Sequence, residues 1–196
     1  MINNLVLPVL KTKRIILRLA SQDDWEKIID YYQLNQNHLQ PFEPIRSKDF
    51  YTKSYWLKEI NERLSKFRED RSLKFFVFLK NNPQEIIGAI NFDNFVRGSF
   101  QACTLGYGIA EKFEGKGLMS ESLQVAIKYV FDELNLHRIM AVYIPHNQRS
   151  GKLLKRLGFV VEGYMSDYLM INGQWQDHIF TSLININWQL KTGKFH

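Results

Sequence analysis

Two glycines one residue apart, Gly115 and Gly117, stand directly before a run of helical periodicity in "GIAEKFEGKGLMSESLQVAI", residues 108–127. Backbone amides at the positive end of a helix can hold a phosphate, and glycine keeps the space an anion needs clear of side chains. A magnesium-nucleotide loop requires a hydroxyl directly after Gly-Lys, but Gly117 follows Lys116. A dinucleotide fingerprint requires a third glycine where Ser120 stands. Two readings remain for the loop: a metal-free pyrophosphate seat, or a turn that holds no ligand.

A second group of reactive types follows. Asn147 and Ser150 in "HNQRSGKLLKRLG" lie one helical turn apart and can face one ligand, although Asn147 could equally serve as an ordinary helix cap. Glu43 in "QPFEP", Glu114, Asp167 and Asp177 in "GQWQDH" are candidate proton acceptors, as are His137, His146 and His178. Each has a plainer alternative, a solvated carboxylate or an imidazole in a structural hydrogen bond. Cys103 sits in an apolar run and reads as a core thiol; no Cys/His spacing suits zinc, so no metal site is predicted.

The elements that must carry these groups change period along the chain. "RIILRLA" (14–20) alternates as a strand; Ser21 can cap a helix over 22–34; two prolines make 38–47 a loop. Tyr51, Tyr55, Ile60, Leu64 and Phe67 recur at helical spacing. Apolar runs at 73–80, 85–96 and 102–110 predict an antiparallel meander, the first two joined by "NNPQ". Met119, Leu123, Ile127, Val130 and Leu134 share one helix face over 116–134; a strand (137–145), a short helix (147–158) and a hairpin turning at Asn172-Gly173 complete the chain. Strand, helix, strand over 102–145 is a βαβ crossover joined to antiparallel strands, which makes the class α+β and excludes a doubly wound domain.

Composition sets the frame. The 196 residues, 45% hydrophobic and 23% charged, suit a single domain over 1–196. The N-terminal apolar run is broken by Pro8 and has its basic residues after it, unlike a secretory signal. No window is long and apolar enough to span a membrane, and a single cysteine fits a reducing, cytoplasmic setting. The net charge of +6 allows an acidic partner or a merely solvated surface, and no nucleic-acid motif accompanies it.

"LGYGIAEKFEGKGLMSESL", "HRIMAVYIPHNQRSGKLLKRLGFVVEGY" and "INGQWQDH" together resemble the Gcn5-related N-acetyltransferase (GNAT) family, in particular its branch that acetylates ribosomal proteins on alanine. The family's glycine signature falls on Lys112 to Gly117; a second signature falls on Asn147, Ser150 and Leu157-Gly158-Phe159. The resemblance implies the GNAT fold, a mixed, mostly antiparallel sheet around a βαβ unit that binds acetyl-CoA. Its pyrophosphate would rest on Lys112, Phe113, Glu114, Gly115, Lys116, Gly117, Leu118, Met119 and Ser120, and its pantetheine would pair with backbone near Ile109 and Glu111. The Ile109 N–H would polarise the thioester carbonyl. Asn147 would hold the pantetheine and Ser150 would protonate the departing thiolate. Many members carry a tyrosine where this chain has Leu154, a departure that favours Ser150 as donor. Asp177 and Glu43 resemble the branch most among the possible bases, either moving protons or holding the substrate ammonium.

The implied acceptor is a protein N-terminus, plausibly an alanine-starting protein of the small ribosomal subunit, attacked directly in a ternary complex. A lysine, polyamine or aminoglycoside acceptor, or a non-catalytic CoA-binding ribosome-assembly factor, stands as the alternative. Either a monomer or a homodimer is compatible with the aromatic content of 14%.

Overall fold

The computed structural model describes residues 7–190; the reading of the N-terminal stretch 1–19 as no secretory signal lies partly outside them. Strands β1 (Val9–Lys11) and β2 (Ile15–Arg18) precede helices α1 (Trp25–Leu34), α2 (Gln36–Leu39) and α3 (Lys53–Arg68). The meander β3 (Leu73–Leu79), β4 (Asn82–Val96) and β5 (Ala102–Ile109) leads through α4 (Leu118–Asp132) to β6 (Arg138–Tyr143). Helix α5 (Gln148–Arg156) and the hairpin β7 (Val160–Ile171) and β8 (Gln174–Ile184) follow. The eight strands form one sheet in the order β1-β2-β3-β4-β5-β6-β8-β7. All neighbours are antiparallel except β5 and β6, which α4 joins as the expected crossover.

The continuous apolar runs arise because helices cover both faces of the sheet. Along β3, Phe75 and Val77 enter one core with Leu118, Leu123, Ile127 and Val130 of α4 and Leu153 and Leu154 of α5. Phe76 and Phe78 enter the other, with Ile28, Tyr31 and Tyr32 of α1 and Trp56 and Ile60 of α3. Cys103 is fully buried in the first core, and burial pushes its thiol up to about 12, so it is an inert packing group.

A buried ion pair fixes the start of α1. Asp24, 1% exposed, accepts from Arg18 at 2.6 and 2.8 Å and from the Ser21 N–H at 2.8 Å. Burial alone would raise this carboxyl, but the Arg18 and Ser21 donors outweigh it and hold it well below its ordinary 3.8. The folded state binds this proton less tightly than the unfolded chain does. The resulting stabilisation is therefore complete above about pH 4 and is lost as pH falls toward the lower folded value. Asp24→Ala leaves Arg18 without its partner and is expected to cost about 3 kcal/mol, measured by urea unfolding at pH 7.

Several expected boundaries are corrected. The 38–47 loop contains the helical turn α2 and a tight turn over Gln40–Phe42, because Pro41 sits at the start of that turn, where a missing N–H costs nothing. Strand β4 extends back through Pro83, so a two-residue turn replaces "NNPQ". Helix α4 starts at Leu118, after Gly117 at φ 73 as its cap, and ends at Asp132. The helix expected over 22–34 becomes α only from Trp25. Strand β1 was not expected; it pairs with β2 across a turn at residues 12–14, where the Thr12 N–H donates to the Ile15 carbonyl. The closing turn is as expected, with Asn172 at φ 47 and Gly173 at φ 79, the left-handed pair that a two-residue hairpin needs. Among the described residues no helix is long and apolar enough to cross a membrane.

Candidate active site

The site begins as a fork in the sheet. Strands β5 and β6 pair only as far as Leu105 and Ala141. Beyond that point β5 continues along β4 to Ile109, and β6 continues along β8 to Tyr143. The Ala110 N–H donates to the Ile87 carbonyl at 2.8 Å, on the β4 side. Backbone groups alternate sides along an antiparallel strand, so the N–H and C=O of Ile109 and Tyr107 face the fork. The fork thus offers a free strand edge in a crevice, suited to an extended ligand with amide groups. The Glu111 N–H is not free in this structure: it donates to Asn35 Oδ1 at 3.0 Å, because Asn35 ends α1 beside it. The expected pairing near Glu111 would therefore use its carbonyl, or its N–H once Asn35 has moved away.

Below the fork lies the glycine loop. Phe113 and Glu114 donate back to Ala110 and Glu111, closing a tight turn. Gly115 at φ 70 and Gly117 at φ 73 then reverse the chain into α4. The amides of Gly115, Lys116, Gly117, Leu118, Met119 and Ser120 donate to no protein acceptor among the described residues. These amides lie at the positive end of a 15-residue helix. The side chains of Leu118 and Met119 turn into the core, so these residues offer only backbone. A Cβ on Gly115 would meet no protein atom within 4 Å. The loop therefore presents its donors beside open space at Gly115.

Cations surround this seat. Lys116 Nζ donates to the Lys112 carbonyl at 2.7 Å, Lys112 pairs with Glu85, and both ammonium groups lie over the Phe113 ring. Arg14 reaches in from the start of β2, donating to the Lys116 carbonyl at 3.0 Å and to Glu121 at 2.6 Å. Glu114 is held between Arg149 of α5 and His38 of α2, the latter at 3.4 Å.

Helix α5 closes the other side. Asn147 Oδ1 accepts from the Ser150 N–H at 3.1 Å, while Asn147 Nδ2 has no protein acceptor among the described residues. The capping reading and the binding reading of Asn147 are thus compatible, one for each end of its amide. Gly151 lets this turn sit on β6, since a Cβ there would lie 2.8 Å from the Tyr143 ring. Ser150 Oγ lies 2.7 Å from Tyr107 Oη. Burial pushes the Tyr107 phenol up to about 12, against a smaller pull from the Ser150 hydrogen bond.

The candidate carboxylates have different surroundings. Glu43 pairs with Arg46, which stacks 3.9 Å over the Tyr32 ring, and burial raises the Glu43 carboxyl against the pull of Arg46. The Glu43 carbonyl accepts from the Asn172 N–H at 3.0 Å, tying the 38–47 loop to the hairpin tip. Asp177 accepts from the Tyr164 hydroxyl and, at 2.9 Å, from the Asp167 N–H. These two donors lower its carboxyl, and the side chain pins the irregularity in β7 between Met165 and Leu169. His178 is buried and paired with the Gln176 carbonyl, His137 packs on Trp188, and His146 packs on Phe42.

The structure therefore brings Ile109, Gly115 to Ser120, Asn147 and Ser150 around one crevice, and leaves Asp177 engaged on the hairpin. Sequence reasoning passed over Arg14, Tyr107 and Tyr31. The Tyr31 hydroxyl faces Gly108, 3.5 Å from where a Cβ would stand. Only the alternation in "LGYGIA", which places Tyr107 in register with Ile109, hinted at any of the three.

Comparison with known proteins agrees with this architecture. Residues 14–160 match the model of the acetyltransferase (GNAT) domain. A [ribosomal protein uS5]-alanine N-acetyltransferase of Escherichia coli is 46% identical over 179 residues, covering 91% of this chain and 92% of that protein. The crystal structure of a ribosomal-protein-S5-alanine acetyltransferase from Vibrio fischeri superposes with a TM-score of 0.89 at 38% identity, over 93% of this chain and all of that one. Mycobacterium smegmatis RimJ, solved in complex with CoA-disulfide, gives 0.82 at 25% identity, over 91% of this chain and 86% of that one.

Proposed function

The chain belongs to the GNAT acetyltransferase family, and from that premise we propose that it transfers acetyl from acetyl-CoA to the N-terminal α-amine of a protein. The acceptor we assign is an alanine-starting protein of the small ribosomal subunit, and the whole chain acts as one domain, in the cytoplasm. The observation that carries the reading is the β5–β6 fork above six amides without a protein acceptor among the described residues, one site for an amide-bearing arm and one for a pyrophosphate. The likeness to uS5-alanine N-acetyltransferases supports the acceptor.

In this reading the Ile109 N–H polarises the thioester carbonyl, Asn147 Nδ2 holds the pantetheine arm, and Ser150 gives its proton to the departing thiolate. The acceptor amine attacks directly. An α-amine with a pKa near 8 is neutral roughly 250 times more often at neutral pH than a lysine near 10.4, so a weak base is enough. Glu43, with its raised carboxyl on the loop beside Tyr31, is the group we assign to the incoming ammonium. Asp177, which accepts from Tyr164 on one oxygen and from the Asp167 N–H on the other, is assigned to shaping the hairpin.

Glu43→Gln is expected to raise KM for an acceptor peptide about tenfold while leaving KM for acetyl-CoA unchanged, a loss of about 1.4 kcal/mol in steady-state kinetics. Incubation with acetyl-CoA and an alanine-starting ribosomal protein tests the reading itself. Fragmentation mass spectrometry should locate one new acetyl group on the first residue; acetylation confined to lysine side chains would refute the α-amine assignment.

A further inference from the structure

We propose that Tyr107 is a positioning residue for acetyl transfer: its phenol donates to Ser150 Oγ and so turns the serine's only proton into the fork. The inference rests on the reading of Ser150 as proton donor to the thiolate. Tyr107 and Ser150 come from different elements, the free edge of β5 and the first turn of α5, and meet at 2.7 Å. A serine hydroxyl has one proton and two acceptor sites, so whichever group donates between the two decides where that proton points.

Two features assign the donor role to the phenol. A phenol is a far stronger acid than an alkyl hydroxyl and is the better donor of the pair. Burial pushes Tyr107 up to about 12, so its own proton stays on at neutral pH. The Ser150 carbonyl, at 3.5 Å from the same oxygen, is too far to compete for the phenol's one proton with Oγ at 2.7 Å. Ser150 Oγ has no other partner among the described residues, which leaves its proton to a group in the fork. The serine is fixed from behind as well, by Asn147 on its N–H and by the close seating of Gly151 on Tyr143.

The proton balance needs no ionised tyrosine. As the C–S bond breaks, its electron pair passes to sulfur, and sulfur takes the Ser150 proton. The serine recovers a proton from the acceptor nitrogen through solvent, so that in sum one N–H proton of the acceptor ends on the thiol. Tyr107 keeps its own proton throughout and acts only by orienting Ser150.

A double-mutant cycle tests the assignment, with kcat, KM for acetyl-CoA and thermal unfolding measured for Tyr107→Phe, Ser150→Ala and the double variant. Tyr107→Phe should lower kcat about tenfold with KM for acetyl-CoA unchanged. Added to Ser150→Ala, it should cause no further loss, because a proton that is gone cannot be oriented. If Ser150→Ala is slow while Tyr107→Phe matches the parent, or if the two losses multiply, the positioning role is wrong and the Ser150 reading survives. An unimpaired Ser150→Ala enzyme would overturn both. A Tyr107→Phe effect confined to KM or to thermal stability would mark the phenol as packing and overturn the inference.

Discussion

Replacement of Ser150 by alanine is expected to lower kcat by about two orders of magnitude while CoA binds as before. A positioned general acid contributes about 10²- to 10⁴-fold, and removal of the hydroxyl leaves a thiolate to depart without its proton. The Ile109 amide proposed to polarise the carbonyl is untouched, which sets the expected loss at the lower end of that range. Ser150 lies in the first turn of α5 with its N–H capped by Asn147 and its hydroxyl on Tyr107. Alanine keeps the backbone bond and favours the helix, so folding should be preserved. Stopped-flow single-turnover measurements would separate this loss from product release. A variant with parental turnover would return the serine to the status of an ordinary half-buried helix residue.

The second large effect concerns the phosphate seat. Gly115→Glu is expected to weaken CoA binding by about 100-fold or more in calorimetric titration. Charge-assisted hydrogen bonds contribute about 1.5–3 kcal/mol each, and a carboxylate in the cradle both displaces the anion from two such donors and repels it. Gly115→Ala separates this from strain. Its left-handed φ of 70 costs any side chain about 1–2 kcal/mol of stability, yet the added methyl faces open space. The alanine variant should therefore unfold a few degrees earlier and bind CoA far better than the glutamate variant. Equal affinity for the glutamate variant and the parent would contradict the assignment of the seat.

Local physics explains what could be read from the sequence. The glycine pair, the Asn-Gly turn and the Asn147–Ser150 spacing each encode a backbone conformation or a helical turn within a few residues. The switch from period two to 3.6 after Gly117 is likewise a local signal, and it located the crossover and with it the mixed sheet. Contacts between distant segments left no such mark. Arg14 meets the loop at Lys116 across the sheet, Asn35 closes on Glu111, and Tyr107 meets Ser150 only because α5 folds over the fork. Trp56, fully buried and stacked on Tyr32, lies four residues before Ile60 and so on the buried face by helical spacing itself; the expected stripe took Tyr55 in its place, and Tyr55 stays only half-buried. The fork itself could not be read from composition, because it depends on where β5 and β6 cease to pair.

The division of labour that emerges has a physical logic. In the proposed function the cosubstrate is gripped mostly by backbone groups held by glycine conformation and strand alternation, with Asn147 as the side-chain exception, so substitutions of neighbouring side chains that leave the cradle open should change affinity modestly. The proposed chemistry rests on single side chains on α5 and on the 38–47 loop, where substitutions should change rate or acceptor binding.

The central claim, direct transfer from acetyl-CoA to a protein α-amine, is tested most directly by thiol release from acetyl-CoA with two peptides. One starts with a free alanine; the other has the same sequence with its N-terminus blocked and an internal lysine free. Release with the first peptide and none with the second is the predicted result. Equal release with both, or none with either, would contradict it.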